Sequence, residues 1–208
     1  MHADAYSGFN RLYESHPITG KSRFTEVACW AHARRKLYEV HAASGSPVAH
    51  VLLEQIGGLF AIEAEIKGQL PELRQQVREA RSVPLLETIR LQMEAALNKG
   101  SSKSALAQAI RYSLSRWPAM TRYTMDGRLE ISNNAAERAI RPLALGRKNW
   151  LFAGSDTGGK RAATLYTIIE TAKLNGLNPE AYLRDIIACI ASHSIKRIDE
   201  LLPWNYRP

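Results

Sequence analysis

The chain has only two cysteines, Cys29 and Cys189. They provide no disulfide framework of the kind that staples small secreted domains, and such sparse use suits a reducing compartment. Long apolar runs are also missing. Every hydrophobic stretch is interrupted by charge well short of the roughly 20 residues that cross a bilayer. The opening Met1-His2-Ala3-Asp4 lacks a basic segment followed by an apolar one, so no secretory leader is expected and a soluble, cytoplasmic protein without a membrane partner is. No internal repeat or low-complexity tract is present, which excludes solenoids and biased tails. Negative charge is in deficit as well: 20 Asp and Glu stand against 28 Lys and Arg, for a net charge of +8 and a pI near 9.7. A pI above about 9 suggests a polyanionic partner, nucleic acid first, although a merely basic protein carries the same charge.

What the chain does contain is helical periodicity. With 208 residues, 45% of them hydrophobic, it is long enough for a real core. Ala3 to Phe9 reads as a strand end running into a turn. Glu26 to Ala31 reads as a short strand, and His32 to Tyr38 as the first turns of a helix. After the break at Ser44-Gly45-Ser46-Pro47, the residues Leu52, Ile56, Leu59, Ile62 and Ile66 recur at three- and four-residue steps and form one apolar stripe. Pro71 and Pro84 stand where first helical turns would begin. Leu106, Ile110, Leu114 and Trp117 mark another amphipathic helix beyond Gly100-Ser101-Ser102. Residues 47–124 therefore read as an all-helical block.

Arg128 to Ile131 reads as a short extended piece. Ser132, Asn133 and Asn134 are N-cap types for a helix from Ala135 to Arg141, stopped near Pro142. Gly146 to Gly159 reads as a basic loop around a strand-like Trp150-Leu151-Phe152-Ala153. A strong helix is expected over Ala162 to Asn175 with Gly176 as its stop, followed by two closing helices over Pro179–Ser192 and Ile195–Leu202. The fold class is α+β, dominated by helix.

Five blocks carry chemistry: His2-Ala3-Asp4-Ala5-Tyr6-Ser7-Gly8-Phe9, Cys29-Trp30-Ala31-His32-Ala33-Arg34-Arg35-Lys36, Ile131-Ser132-Asn133-Asn134-Ala135-Ala136-Glu137-Arg138-Ala139-Ile140-Arg141, Gly146-Arg147-Lys148-Asn149-Trp150-Leu151-Phe152-Ala153-Gly154-Ser155, and the tail Asp199-Glu200-Leu201-Leu202-Pro203-Trp204-Asn205. In this order and spacing the chain resembles the transposases of the insertion-sequence sixty-six family over nearly all its length. The resemblance implies a bacterial mobile-element protein with an RNase H-like core. Such a protein cuts and joins DNA through an Asp-Asp-Glu triad that holds two Mg²⁺ or Mn²⁺ ions.

Phosphoryl transfer develops negative charge that two metal ions can stabilise, and hard carboxylates are the ligands that suit them. By resemblance, Asp4 is the second Asp and Glu137 the Glu, and both are catalytic metal ligands. By residue type alone, Asp4 reads as a solvated turn residue and Glu137 as a helix-surface acid paired with Arg141. The surrounding motifs are what select the catalytic role. The resemblance puts the first Asp on a strand upstream of His2, so the 208 residues alone are expected to be inactive. Ser132 departs from the Asp the family often has, and either residue can cap a helix.

The resemblance also implies DNA as partner, together with further copies of the chain or other proteins of the same element. Between Asn133 and Arg161, the cations Arg138, Arg141, Arg147, Lys148, Lys160 and Arg161 face only Glu137 and Asp156, which is +4 of the chain's net +8. Arginine forks suit phosphates, and interleaved aromatics suit bases. Trp150 and Phe152 also read as core residues. Arg34 and Arg35 extend the DNA-binding set, and with Lys36 they widen the positive surface next to the Asp4 strand.

Other readings compete. A non-catalytic DNA-binding remnant of a transposase would share every basic feature. Gly154 to Arg161 looks like a phosphate-binding P-loop, but Arg161 stands where that loop needs Ser or Thr after Lys160. Cys29-x-x-His32 with Cys189-x-x-x-His193 could hold zinc, although a cysteine in an apolar run is more often core. The expected division is a partial RNase H-like core over 1–46, a helical insertion over 47–124, the closing part of the core with the basic loop over 125–176, and a C-terminal helical element over 177–208.

Overall fold

The computed structural model describes residues 1–4, 7–15, 20, 22, 24–146 and 154–207. Strand β1 (His2–Ala3) pairs in parallel with β2 (Val27–Ala28), with His2 opposite Val27 and Ala3 opposite Ala28. The Val27 N–H donates to the Met1 carbonyl at 2.9 Å, which extends the pairing by one residue. Between the strands lie a 3₁₀ turn (Ser7–Phe9) and the short helix α1 (Asn10–Tyr13). The rest is helix: α2 (Trp30–Ser44), α3 (Pro47–Glu65), α4 (Pro71–Val77), α5 (Val83–Lys99), α6 (Ala105–Leu114), α7 (Trp117–Thr121), α8 (Asn134–Gly146), α9 (Asp156–Leu174) and α10 (Pro179–Cys189), closed by a 3₁₀ helix over Ile195–Leu201. The α+β, helix-dominated class holds.

The contacts divide the chain into two compact units, Met1–Ala136 and Glu137–Pro208. The first is built on the stripes its sequence displays. Leu52, Ile56 and Leu59 on α3 are fully buried, as are Trp30, Ala33 and Leu37 on α2, Ile89 and Met93 on α5, and Ile110 on α6. Burying each large side chain contributes about 1.5–3 kcal/mol. Trp30 packs edge-on against Trp117, with centroids 5.8 Å apart. Its indole N–H donates to the Met120 carbonyl at 2.8 Å, so the one polar atom of the ring is satisfied inside the core.

Several boundaries differ from expectation for identifiable reasons. Helix α2 starts at Trp30, two residues inside the expected strand, because the Trp30 backbone N–H donates to the Ile131 carbonyl at 3.1 Å. Pro84 stands in the first turn of α5, as expected, but no break separates that helix from α4. A π turn over Arg78–Ser82 joins α4 to α5, and the Val83 N–H reaches back to the Arg78 carbonyl. The wider turn accommodates a proline that an unbroken α-helix resists. Arg128 to Ile131 forms turns and bends with no strand.

Helix α8 runs through Pro142 to Gly146, where a stop had been expected at the proline. Asn133 does not cap it with its side-chain oxygen, which is buried and accepts no hydrogen bond. Helix α9 begins at Asp156, six residues early, because the Ser155 hydroxyl accepts from the Gly158 N–H at 3.0 Å and Asp156 complements the helix dipole. Gly176 does end this helix, at φ 74°, with the Leu177 N–H returning to the Ala172 carbonyl. The strand-like Trp150–Ala153 lies outside the described residues.

Candidate functional site

Asp4 follows β1 directly, at the carboxyl end of a strand in the parallel pair, and it is exposed. Its backbone is anchored, since its carbonyl accepts from the Tyr112 hydroxyl on α6 at 3.1 Å. Around Tyr112 two cations gather. Lys36 Nζ lies 4.8 Å from the ring centroid and the Arg116 guanidinium 5.8 Å. Arg116 also faces the Glu26 carboxylate at 3.6 Å. Burial is the main cause pushing the Tyr112 hydroxyl up to about 12, and the electrostatic influence of Cys29, Asp4 and Glu26 adds to it against Arg116. Tyr13 is raised too, by burial first and then by Glu26 and Asp4. The Asp4 carboxylate thus sits among two phenols, one other acid and nearby cations, and it faces solvent. None of Tyr13, Tyr112 and Arg116 stood out as a site residue in the sequence, and Lys36 did so only as the end of the basic run with Arg34 and Arg35. Tyr112 is a single aromatic beside an apolar stripe, and its pairing with Asp4 spans 108 positions.

Glu137 lies in the first turn of α8, exposed, within the second unit. The loop that delivers this helix is held by a buried arginine. Arg78, fully buried, gives two hydrogen bonds to the Glu63 carboxylate, at 2.7 and 2.6 Å. It gives three more to the carbonyls of Tyr123, Asp126 and Leu129, at 2.8, 3.1 and 2.9 Å. All five guanidinium donors are used, the condition under which a buried charge is tolerated. Gly127 lies in the same loop, and a Cβ there would come within 1.7 Å of the Pro71 carbonyl oxygen, so only glycine fits. Position 78 looked like one more cation in a helix, and only the packing shows that it organises the approach to α8.

The basic residues divide by element. Arg34 and Arg35 are exposed on α2, Arg138 and Arg141 on α8, and Lys160 and Arg161 on α9. Lys160 and Arg161 are therefore helical residues, where a loop had been expected. Arg147 and Lys148 lie outside the described residues, as do Trp150 and Phe152.

Two other expectations are resolved by local structure. The stretch resembling a P-loop is closed. Its Gly158 and Gly159 N–H groups bond to Ser155, so the backbone donors that would cradle a phosphate are already used by the first helical turn. Cys29 is fully buried, and its sulfur accepts from the Asn133 N–H at 3.5 Å, which makes it a core residue. Cys189 donates to the Ile186 carbonyl, and the His193 Nε2 lies 2.9 Å from the Arg197 carbonyl. Among the described residues no three His, Cys, Asp or Glu side chains are grouped to share a metal ion, and no helix is long and apolar enough to cross a membrane.

No solved structure matches the chain. Three curated relatives from Sinorhizobium fredii align over all of it: the uncharacterized proteins y4qI at 38% identity, y4hP at 37% and y4jD at 36%. The alignment covers 39%, 39% and 41% of their own lengths, so the chain spans about two fifths of the relatives it matches. The family described as Transposase IS66 family matches residues 1–161, and the IS66 C-terminal element matches residues 167–204. The chain belongs to the IS66 transposase family.

Proposed function

We propose that this chain carries the later part of the catalytic region of a DDE-type transposase, which cuts and rejoins DNA at the ends of a bacterial insertion sequence. The observation that carries this reading is Asp4, an exposed carboxylate at the carboxyl end of a strand in a parallel pair, inside the span matched by the family. The parallel pair followed by α2 supports an RNase H-like core. On this reading residues 1–46 and 125–176 belong to that core, 47–124 are a helical insertion, and 177–208 form the C-terminal element.

Asp4 and Glu137 are assigned as the second and third carboxylates of the triad. Their oxygen donors fit Mg²⁺ or Mn²⁺, which binds through a few carboxylates and completes its shell with water and substrate phosphate. When bound, the metal pair supplies activation of the nucleophile and stabilisation of the leaving oxygen. The Tyr112 hydroxyl fixes the backbone at Asp4. Exposed Arg34, Arg35, Arg138, Arg141, Lys160 and Arg161, with Arg147 and Lys148, contact phosphates. Such contacts give salt-sensitive binding with little sequence preference.

A first Asp is assigned to a strand preceding β1, so strand transfer by the triad requires that strand together with Asp4 and Glu137. The test is strand transfer in Mg²⁺ or Mn²⁺ by the polypeptide extended upstream, by its Glu137→Gln variant and by the 208 residues alone. Gln keeps the size and removes the charge. Activity should appear only in the extended protein and vanish with Glu137→Gln while DNA binding persists. Full activity of the Gln variant would show that Glu137 is not the third carboxylate.

A further inference from the structure

Glycine inside a helix weakens it relative to alanine, yet α3 holds two in succession. Gly58 has a packing reason, because a Cβ there would stand 3.1 Å from Leu85 Cδ2 on α5. Gly57 has none: a Cβ would meet nothing within 4 Å, and its backbone is ordinary helix. Position 57 is small beside open space.

That space is a groove of about 620 Å³, within the range of small-ligand sites. Gly57 and Phe60 of α3 line it on one side, Arg34, Arg35 and Tyr38 of α2 on the other, and Asn134 at the start of α8. All six belong to the first unit. On α2 these residues stand off the buried stripe of Trp30, Ala33, Leu37 and Val40, and Tyr38 is 56% exposed although it is a large aromatic. Among the described residues the lining holds two arginines and no carboxylate.

We propose that this groove takes one unpaired nucleotide of a DNA strand. The arginine forks suit its phosphate. The exposed ring of Tyr38 offers a face on which a base can stack, a contact indifferent to base identity, and Phe60, half-buried against the core, gives the groove an apolar wall. The Asn134 carboxamide has both a donor and an acceptor for a base edge. The groove has room for one nucleotide, and a ring can stack in it only on a base freed from its pair, so it favours unpaired over paired DNA. The proposal rests on reading the chain as a DNA-acting transposase and names what this part of its surface holds.

The test uses fluorescence anisotropy with a labelled duplex and with the same duplex bearing a short single-stranded overhang. Gly57→Leu adds bulk to the groove lining at a position where a Cβ meets nothing within 4 Å, and Tyr38→Ala removes an exposed ring. Thermal melts check that both variants fold, and if Gly57→Leu does not, Tyr38→Ala decides alone. Both should lose about tenfold in affinity for the overhang substrate, the size expected for one stacked base, and stay within about twofold on the duplex. An equal loss on both DNAs, or no loss on either, overturns the groove assignment while leaving DNA binding intact. Selective loss of poly-glutamate binding with unchanged overhang binding overturns it in favour of an acidic protein partner. If the parent protein binds neither DNA at low salt, the transposase reading fails as well.

Discussion

From Trp30 to Tyr123 the first unit buries nearly all of the apolar stripe its periodicity offers, whereas the second unit, among its described residues, leaves almost all of its large apolar side chains half-buried or exposed. Leu174 is 86% exposed, Ile195 78% and Ile187 71%, and Ile140, Leu145, Leu165 and Trp204 are exposed too. Inside the second unit Ala172, Tyr182 and Pro203 are the buried residues among those described. The local chemistry of its helices is nevertheless sound. Ser155 and Asn178 cap α9 and α10, Gly176 ends α9, and the Tyr182 hydroxyl donates to the Leu201 carbonyl at 2.7 Å. Good caps and periodicity make helices, but stability comes from burying their apolar faces. The two units teach that these are separate achievements.

The largest expected effect tests that difference directly. Residues 1–136 expressed alone should unfold in one cooperative transition, and residues 137–208 alone should show partial helicity with no cooperative melt. Circular dichroism against temperature decides it, and a sharp transition in the second fragment would erase the distinction. Next comes the buried pair in the first unit. Glu63→Ala strands the Arg78 charge in the core and should cost about 3–5 kcal/mol. Glu63→Leu combined with Arg78→Met should recover part of that loss in denaturant unfolding. No cost from the single variant would mean that Arg78 is not held as described.

Leu59→Ala should destabilise by about 2–5 kcal/mol, while Ile187→Ala should stay within about 0.5 kcal/mol. Comparable losses would show that α10 is covered in solution. The smallest effect is alkaline. Burial raises both Tyr112, to about 12, and Tyr123, where the Glu63 charge adds to it. The unfolded chain releases these protons from about pH 10. The folded unit does so only at higher pH, so their contribution is intact below pH 10 and declines as pH rises toward 12. Tyr123→Phe should flatten that decline, as read from urea midpoints between pH 9 and 12.

The stripe on α3, the break at Ser44-Gly45-Ser46-Pro47 and the Gly176 stop were legible because each depends on neighbours within a few residues. Asp4 and Glu137 were legible only through the motifs around them, since an exposed acid at a strand end or in a first helical turn has no signature of its own. Tyr112 and Arg78 left no trace, because their partners lie 108 positions away in one case and 15 to 51 in the other.

Composition and periodicity by themselves determined the helix-dominated class, the basic surface and most helix locations, because side-chain spacing and capping act locally. Tertiary structure alone decided that Trp30 begins a helix, that Pro84 lies in a continuous one, that a buried arginine holds the loop before α8, and that Gly57 opens a groove beside Arg34, Arg35 and Tyr38. Each of these depends on a carbonyl, a carboxylate or an empty volume supplied by residues distant in sequence, and no local pattern encodes those.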